Sequence, residues 1–411
     1  MSLTRLAETI LTKARELDQR AVVDPDSKLG FRNMTAKDYE SRAALIQAVR
    51  ELERLSLGPL EFLHVMSTAP LNGISLHAAA RYGIPLHVPA DGGISAPDLA
   101  AALDFDEENL RRLLGHAICN GIFQQERPSG RIAHTPLSRL LRDDADARGM
   151  VRFLAENLWP QAVAALDGLE TWPGSRDSAR TAGALRSGSG ELAFEAIAKQ
   201  PETVERAASF FRAASRLLVL GPDGLEKSPL WREIDRPGAT VVDIGGSHGH
   251  VSLQIARVTE HVKFVVQDRP EVVAGGEQAL PAEFKERISF EAYDFFEEEP
   301  RKNADVYFLR KILHQWPDSL SIKILRNLIP ALKDGAEVIV CDHILPEKAE
   351  GEYAEKVARD LDITMMISLN GKERTASEWT NLFATADSRF EVEFERWACS
   401  TDGMIKAIWK P

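Results

Sequence analysis

Apolar residues follow two different rhythms along this chain. In the N-terminal part they recur every three or four positions among charges, as in Leu110, Leu113, Leu114, Ala117 and Ile118, the spacing of amphipathic helices. Further on they gather into short unbroken runs: Val241-Val242-Asp243-Ile244, Phe264-Val265-Val266 and Val306-Tyr307-Phe308-Leu309. Such runs predict strands buried on both faces, and the helical stretches between them predict crossovers that keep the strands parallel. The pattern therefore predicts an α/β domain with a doubly wound, mostly parallel, Rossmann-like sheet, preceded by a helical domain. We place the helical domain at 1–145, connecting helices at 146–230 and the sheet domain at 231–411. The Gly- and Ser-rich stretch 171–190 reads as a loop, helical spacing resumes over 194–220, and Gly221-Pro222-Asp223-Gly224 marks a break.

The helical domain ends in a small unit with clear punctuation. Ser95 is placed to cap a helix with Pro97 in its first turn, and Asp106-Glu107-Glu108 opens a second helix. Residues 121–126 and 131–134 then read as two strands about Pro128-Ser129-Gly130. Two helices and a hairpin make a winged-helix pattern. A nucleic-acid reader would present Lys and Arg from the second helix, whereas three acids open it here.

The sheet domain carries the candidate chemistry. The run 241–244 breaks into Gly245-Gly246-Ser247-His248-Gly249, and glycines after a strand let the backbone turn and approach a ligand closely. A dinucleotide site wants G-x-G-x-x-G, and Ser247 and His250 break that spacing. Asp243 at the strand end would repel a pyrophosphate but tolerates a sulfonium or an ammonium, which favours S-adenosylmethionine (SAM). Asp268, ending the next strand, is placed to accept from two ribose hydroxyls. Asp294 and Phe295, after a third strand-like piece, suit an adenine amino group and ring face.

These motifs, together with Phe308-Leu309-Arg310-Lys311-Ile312-Leu313-His314-Gln315-Trp316-Pro317-Asp318 and Gly371-Lys372-Glu373-Arg374-Thr375, resemble the class I SAM-dependent small-molecule O-methyltransferases, especially their fungal secondary-metabolite branch. The resemblance is dense in the C-terminal half and looser before it. It implies a general base at His314, oriented by Asp342 and Glu373, and SAM contacts from Asp243, Gly245, Gly246, Ser247, Asp268, Asp294, Phe295 and Arg310. It also implies that the winged-helix domain dimerises, with residues 60–71 and 74–82 in an intertwined helical interface. Trp159, Phe194, Phe210 and Phe211 become pocket-wall candidates, with ordinary core packing as the plainer reading of each, and Met365 and Met366 either line that pocket or fill core. Gln315 and Asp342 depart from the plant-type pattern, which has an aspartate and a glutamate there.

Histidine suits the base, because its proton affinity lies near neutrality and the acceptor hydroxyl must lose a proton as it attacks. The acceptor implied is a small polyketide, pyridone or phenol. A second reading comes from fungal relatives that keep SAM bound yet catalyse dehydration and pericyclic cyclisation of pyridone alcohols. There His134, Arg310 and Lys311 would polarise a substrate carbonyl. A silent SAM-binding scaffold is a third, and the retained His314, Asp342 and Glu373 argue against it.

Composition adds limits. A net charge of -12 over 411 residues disfavours nucleic-acid and anionic-membrane partners. Cys119, Cys341 and Cys399 show no paired spacing, so neither disulfides nor a metal site is expected. No run approaches the roughly 20 apolar residues that span a bilayer, the first 19 residues lack the apolar core of a signal peptide, and a cytoplasmic location is expected.

Overall fold

Side-chain alternation explains why the sheet strands read as unbroken apolar runs. On β7 (Val306–Arg310), Tyr307 and Leu309 pack into one core cluster while Val306 and Phe308 pack into another. On β8 (Glu337–Leu345), Val338, Val340 and Ile344 join the first cluster while Ile339 and Cys341 join the second. Successive strand residues face opposite sides, so a sheet covered on both faces needs apolar residues at nearly every position.

The computed structural model describes residues 2–24, 27–28, 30–188, 193–214, 216–217, 225–397 and 400–411. Residues 221–224, read as a break, and Cys399 lie outside the described residues, as does the side chain of Phe194. The chain divides into two units, 1–163 with 194–221 and 164–193 with 222–411.

In the second unit the strand order is β10-β11-β8-β7-β4-β5-β6, where β4 is Thr240–Ile244, β5 Lys263–Asp268, β6 Ile288–Ala292, β10 Phe390–Arg396 and β11 Asp402–Trp409, and the two-residue β9 (Arg374–Thr375) pairs with β8 off this path. The five strands from β8 to β6 run parallel, and β11 and β10 add antiparallel at one edge. Sequence order reverses at β4, which pairs with β5 on one side and β7 on the other. In such sheets the crevice beyond the strand ends at that reversal is where ligands bind. The stretch 171–190, read as a loop, contains a short helix, Ala182–Ser187, whose N-cap Thr181 accepts from the Ala184 amide.

In the first unit, Leu3–Gln19 packs along a 46-residue helical run, Ala36–Arg81. That run bends at Gly58, whose φ is 69°, with Pro59 and Pro70 inside it. The stretches read as interface lie beyond the bend, where Leu60, Leu63, Met66, Leu71 and Ile74 are all exposed. Ser95 caps Ala96–Leu103 and Asp106 caps Glu107–Cys119, each side chain accepting a backbone amide three residues on. The hairpin consists of β2 (Phe123–Gln125) and β3 (Ile132–His134), and a short strand missed in the sequence, β1 (Gly93–Ile94), pairs with β3. No helix among the described residues is long and apolar enough to cross a membrane.

Candidate active site

The turn after β4 is built by backbone demands. Gly245 has φ 70°, and a Cβ there would lie 2.4 Å from Ile312. A Cβ on Gly246 would come within 2.6 Å of the Asp243 carboxyl carbon. The amides of Gly245 and Gly246 donate to the carbonyl of Gln267 at 2.8 and 3.1 Å, so the turn folds back over the end of β5.

Asp268 closes that corner. One carboxylate oxygen accepts from the Ser247 amide and the other from the Arg269 amide, both at 2.8 Å. Each oxygen keeps a lone pair for a further donor. Asp243 is buried and accepts from Ser252 Oγ at 2.6 Å. Burial pushes its carboxyl up to about 6, against the pull of Ser252 and of the Arg310 cation at the end of β7. Asp294 follows β6 by two residues, is exposed and accepts from the Phe296 amide at 2.9 Å. The ring of Phe295 reaches the position a Cβ on Gly245 would occupy, at 4.0 Å. Trp316, not singled out in the sequence, packs edge-on against Phe295 and Phe296 at 6.0 and 4.9 Å, and its buried indole N–H has no partner among the described residues. An aromatic four residues after Ile312 is the available signal.

The second group lies just past β7. His314 sits in a short turn, Leu313–Gln315, and Nδ1 donates to Glu373 Oε1 at 2.6 Å. Asp342 Oδ1 is 4.0 Å from the same nitrogen. All three side chains are buried, and neither oxygen of Asp342 nor Oε2 of Glu373 has a hydrogen-bond partner among the described residues. The structure thus brings His314, Asp342 and Glu373 together, from the turn after β7, strand β8 and the segment 371–374. Burial opposes charge on the imidazole, but the two carboxylates outweigh it and hold His314 above its ordinary range. Burial likewise opposes ionisation of Glu373, yet the imidazole beside it brings that carboxyl down to about 2. Asp342 is pushed up by burial. With Nδ1 committed to Glu373, the tautomer is set and Nε2 is the nitrogen left to take a proton.

Arg374, next to Glu373, is a site residue the sequence did not reveal. It is buried, donates to the carbonyls of Leu313 and Trp316 at 3.0 Å each, pairs with Asp318 at 2.7 Å and lies over the Trp379 ring. Asp362, on the helix Tyr353–Leu369, accepts from the Glu373 amide at 2.9 Å. Charge runs in the sequence carry no sign of either role. Met366, from the same helix, lines a cleft with Trp172 and Leu169.

The remaining sequence candidates sit as follows. His134 belongs to the first unit and is buried. Its Nε2 donates to the Val88 carbonyl at 3.2 Å, and Nδ1 is 2.9 Å from Ser138 Oγ. Lys311, with φ 55°, pairs with Asp402 at 2.6 Å. Trp159 packs over Gly73 and edge-on to His77, and Phe210 stacks on Phe153 and meets Phe211.

Comparison with known proteins decides the family. An O-methyltransferase domain profile matches residues 188–389, and an O-methyltransferase dimerisation domain profile matches 73–144. A chlorophenol O-methyltransferase of Trichoderma longibrachiatum is 34% identical over 422 aligned residues, covering 98% of this chain and 89% of that protein. This chain belongs to the O-methyltransferase family. Among solved structures, this member of the family resembles OxaC in complex with S-adenosylhomocysteine (SAH) and oxaline, with TM-score 0.82, 22% identity and 99% of each chain covered. It also resembles a pericyclic reaction enzyme, with TM-score 0.78 and 25% identity over 90% of this chain and 94% of that one.

Proposed function

We propose that this O-methyltransferase moves the methyl group of SAM to a hydroxyl of a small secondary metabolite, a polyketide, pyridone or phenol, with His314 as general base. The observation that carries the reading is the 2.6 Å contact between the buried side chains of His314, at Nδ1, and Glu373, at Oε1. An imidazole fixed in this way presents Nε2 to the acceptor hydroxyl and takes its proton as the oxygen attacks. Asp342, buried with both oxygens unpartnered, stands ready for a donor on the acceptor.

The residues around the β4 turn fit SAM. Asp268 retains lone pairs for ribose hydroxyls, Asp243 offers a buried carboxyl beside a cationic ligand, and Phe295 and Trp316 offer aromatic faces and one unpartnered N–H to an adenine. Gly245, Gly246, Ser247, Asp294 and Arg310 complete the proposed cradle. SAM bound there supplies an electrophilic methyl group on a sulfonium. OxaC, seen with SAH, has the same fold. The exposed apolar face from Leu60 to Ile74 supports a homodimer formed through the N-terminal domain.

The experiment is turnover with SAM and hydroxylated polyketides, pyridones or phenols, following SAH release and product mass. Gain of one methyl, lost in His314→Ala, is expected. A product that has lost water or merely isomerised, with SAM unconsumed, would establish the second reading, SAM-bound pericyclic catalysis. Likeness to a pericyclic reaction enzyme and the Lys311 cation favour that reading. Against it, both nitrogens of His134 are engaged within the first unit.

A further inference from the structure

One buried glutamine holds both sides of the proposed cofactor cradle at once. Gln267 stands on β5 beside Asp268 and is fully buried. Its carbonyl accepts the amides of Gly245 and Gly246, so its backbone carries the glycine turn. Its side chain reaches elsewhere: Nε2 donates to Glu299 Oε1 at 2.9 Å and to Glu291 Oε2, on β6, at 3.2 Å. Glu299 is also fully buried, and its Oε1 accepts the Arg301 amide at 2.7 Å. Gln267 is the one side-chain donor to Glu299 among the described residues.

Glu299 ends the segment 293–299, which presents Asp294 and Phe295. At the start of that segment the Tyr293 amide donates to the Asp268 carbonyl at 2.9 Å. Asn327, on the helix Asp318–Leu328, donates from Nδ2 to the Phe295 carbonyl at 3.1 Å, and its own carbonyl accepts the Glu299 amide at 3.0 Å. The contact between Gln267 and Glu299 therefore ties the far end of the segment to β5. Phe264, Val265 and Val266 before it on β5 are apolar, as a strand covered on both faces requires. A buried glutamine at the next position costs stability unless its amide is used, and a donor to a buried carboxylate is among the stronger uses.

We propose that Gln267 is a positioning residue for the cofactor, locking the glycine turn to the segment that presents Asp294 and Phe295 so that both sides of the cradle are set before SAM arrives. This rests on reading the β4 turn and its neighbours as the SAM site. Gln267 acts through the turn and the segment and need not touch the ligand.

The test is SAM affinity by calorimetry, together with kcat at saturating SAM, in Gln267→Met, which keeps the length of the side chain and removes the donor. A cradle assembled about a tenth of the time binds about tenfold more weakly, so the Kd for SAM is expected to rise about tenfold or more while kcat at saturating SAM stays within about twofold. A general loss of packing would lower kcat as well. The exchange pair Gln267→Glu with Glu299→Gln moves the donor to the other side chain and is expected to bind SAM more tightly than Gln267→Met. Wild-type affinity in folded Gln267→Met, or an exchange pair no better than it, overturns the proposal. Asp268→Ala separates the two readings: if it binds SAM as the wild type does, the cradle reading falls as well, and if it loses SAM while Gln267→Met does not, only the role of Gln267 falls. Should Gln267→Met fail to fold, hydrogen exchange of the wild type decides. SAH is expected to slow the amides of 245–247 and 295–299 together, and protection of one segment alone overturns the coupling.

Discussion

A Cβ added to Gly371 would lie 2.3 Å from the carbonyl oxygen of His314. The two backbones meet because the Lys372 amide donates to that carbonyl at 2.8 Å, which brings the 371–374 segment flat against the turn carrying His314, the proposed base. Gly371→Ala must push the turn away. Displacement by about 1 Å from a reactive geometry costs roughly a hundredfold in rate, and overpacking costs about 1–3 kcal/mol. We expect kcat to fall about that far while the KM for SAM changes little, since the residues proposed to hold SAM lie elsewhere. Steady-state kinetics with a thermal melt checks this, and unchanged kcat in a folded variant would sink it.

Arg374 carries the same turn from the side. Its guanidinium satisfies the carbonyls of Leu313 and Trp316, on either side of His314, and its partner Asp318 opens the next helix. Arg374→Met removes the guanidinium from both carbonyls and leaves them to the Ser321 hydroxyl and, at Leu313, the Trp316 amide, and the loss of hydrogen bonds from a charged group costs about 1.5–3 kcal/mol. Arg374→Lys is expected to recover only part of this, because an ammonium lacks the planar fork that spans both carbonyls. Chemical denaturation of the two variants measures it; equal stability of Arg374→Lys and wild type would contradict the assignment.

The couple between His314 and Glu373 has a pH signature. His314 is held above its ordinary range by the carboxylates despite burial, so its contribution to stability is present below the unfolded value and is lost as pH rises through the folded one. Glu373 is brought down to about 2 by the imidazole despite burial, so its contribution is present above the carboxylate value of 4.5 and is lost as pH falls toward 2. With His314 as the proposed base, activity needs the unprotonated imidazole, so the rate is expected to rise with pH through the raised His314 value. Glu373→Gln removes the strongest upward influence, and the acid limb of kcat/KM is expected to move to lower pH. The rate itself should drop about 10²-fold or more, as loss of an orienting carboxylate does in a serine-protease triad. A limb that stays in place on Glu373→Gln would show that the titrating group is not His314.

Much of this architecture is legible in the residues, and the parts that are not share a cause. The apolar runs at 241–244, 264–266 and 306–309 mark strands because a doubly covered sheet leaves no polar alternation to confuse them with a helix. Ser95 and Asp106 announce their helices because capping is a local interaction within four residues. Arg374, Asp362 and Asp402 look like ordinary charges in sequence. Their roles depend on partners 61, 11 and 91 positions away, at Leu313, Glu373 and Lys311. The short strand β1 has only two residues, too few for any periodicity, and exists because β3 offers it an edge. Asp294 falls two residues beyond β6, where an acid in a loop and an acid at a strand end look alike in sequence.

The last prediction concerns Asp243, whose burial sets a threshold for cofactor binding. The side chain is enclosed, and burial raises its carboxyl to about 6, with the Ser252 hydroxyl and the Arg310 cation limiting the rise. A cationic SAM favours the ionised carboxyl, so below pH 6 binding must expel a proton and above it binding need not. Affinity for SAM should therefore tighten from pH 5 to pH 7.5 by about tenfold, the change expected for one proton lost across about one unit. Isothermal titration at pH 5.5 in two buffers of different ionisation enthalpy should register proton release, and at pH 7.5 should register almost none. Asp243→Asn should bind SAM more weakly and with no such pH dependence. Binding that is flat with pH in the wild type, or a dependence that survives Asp243→Asn, would place the titrating group elsewhere in the cradle.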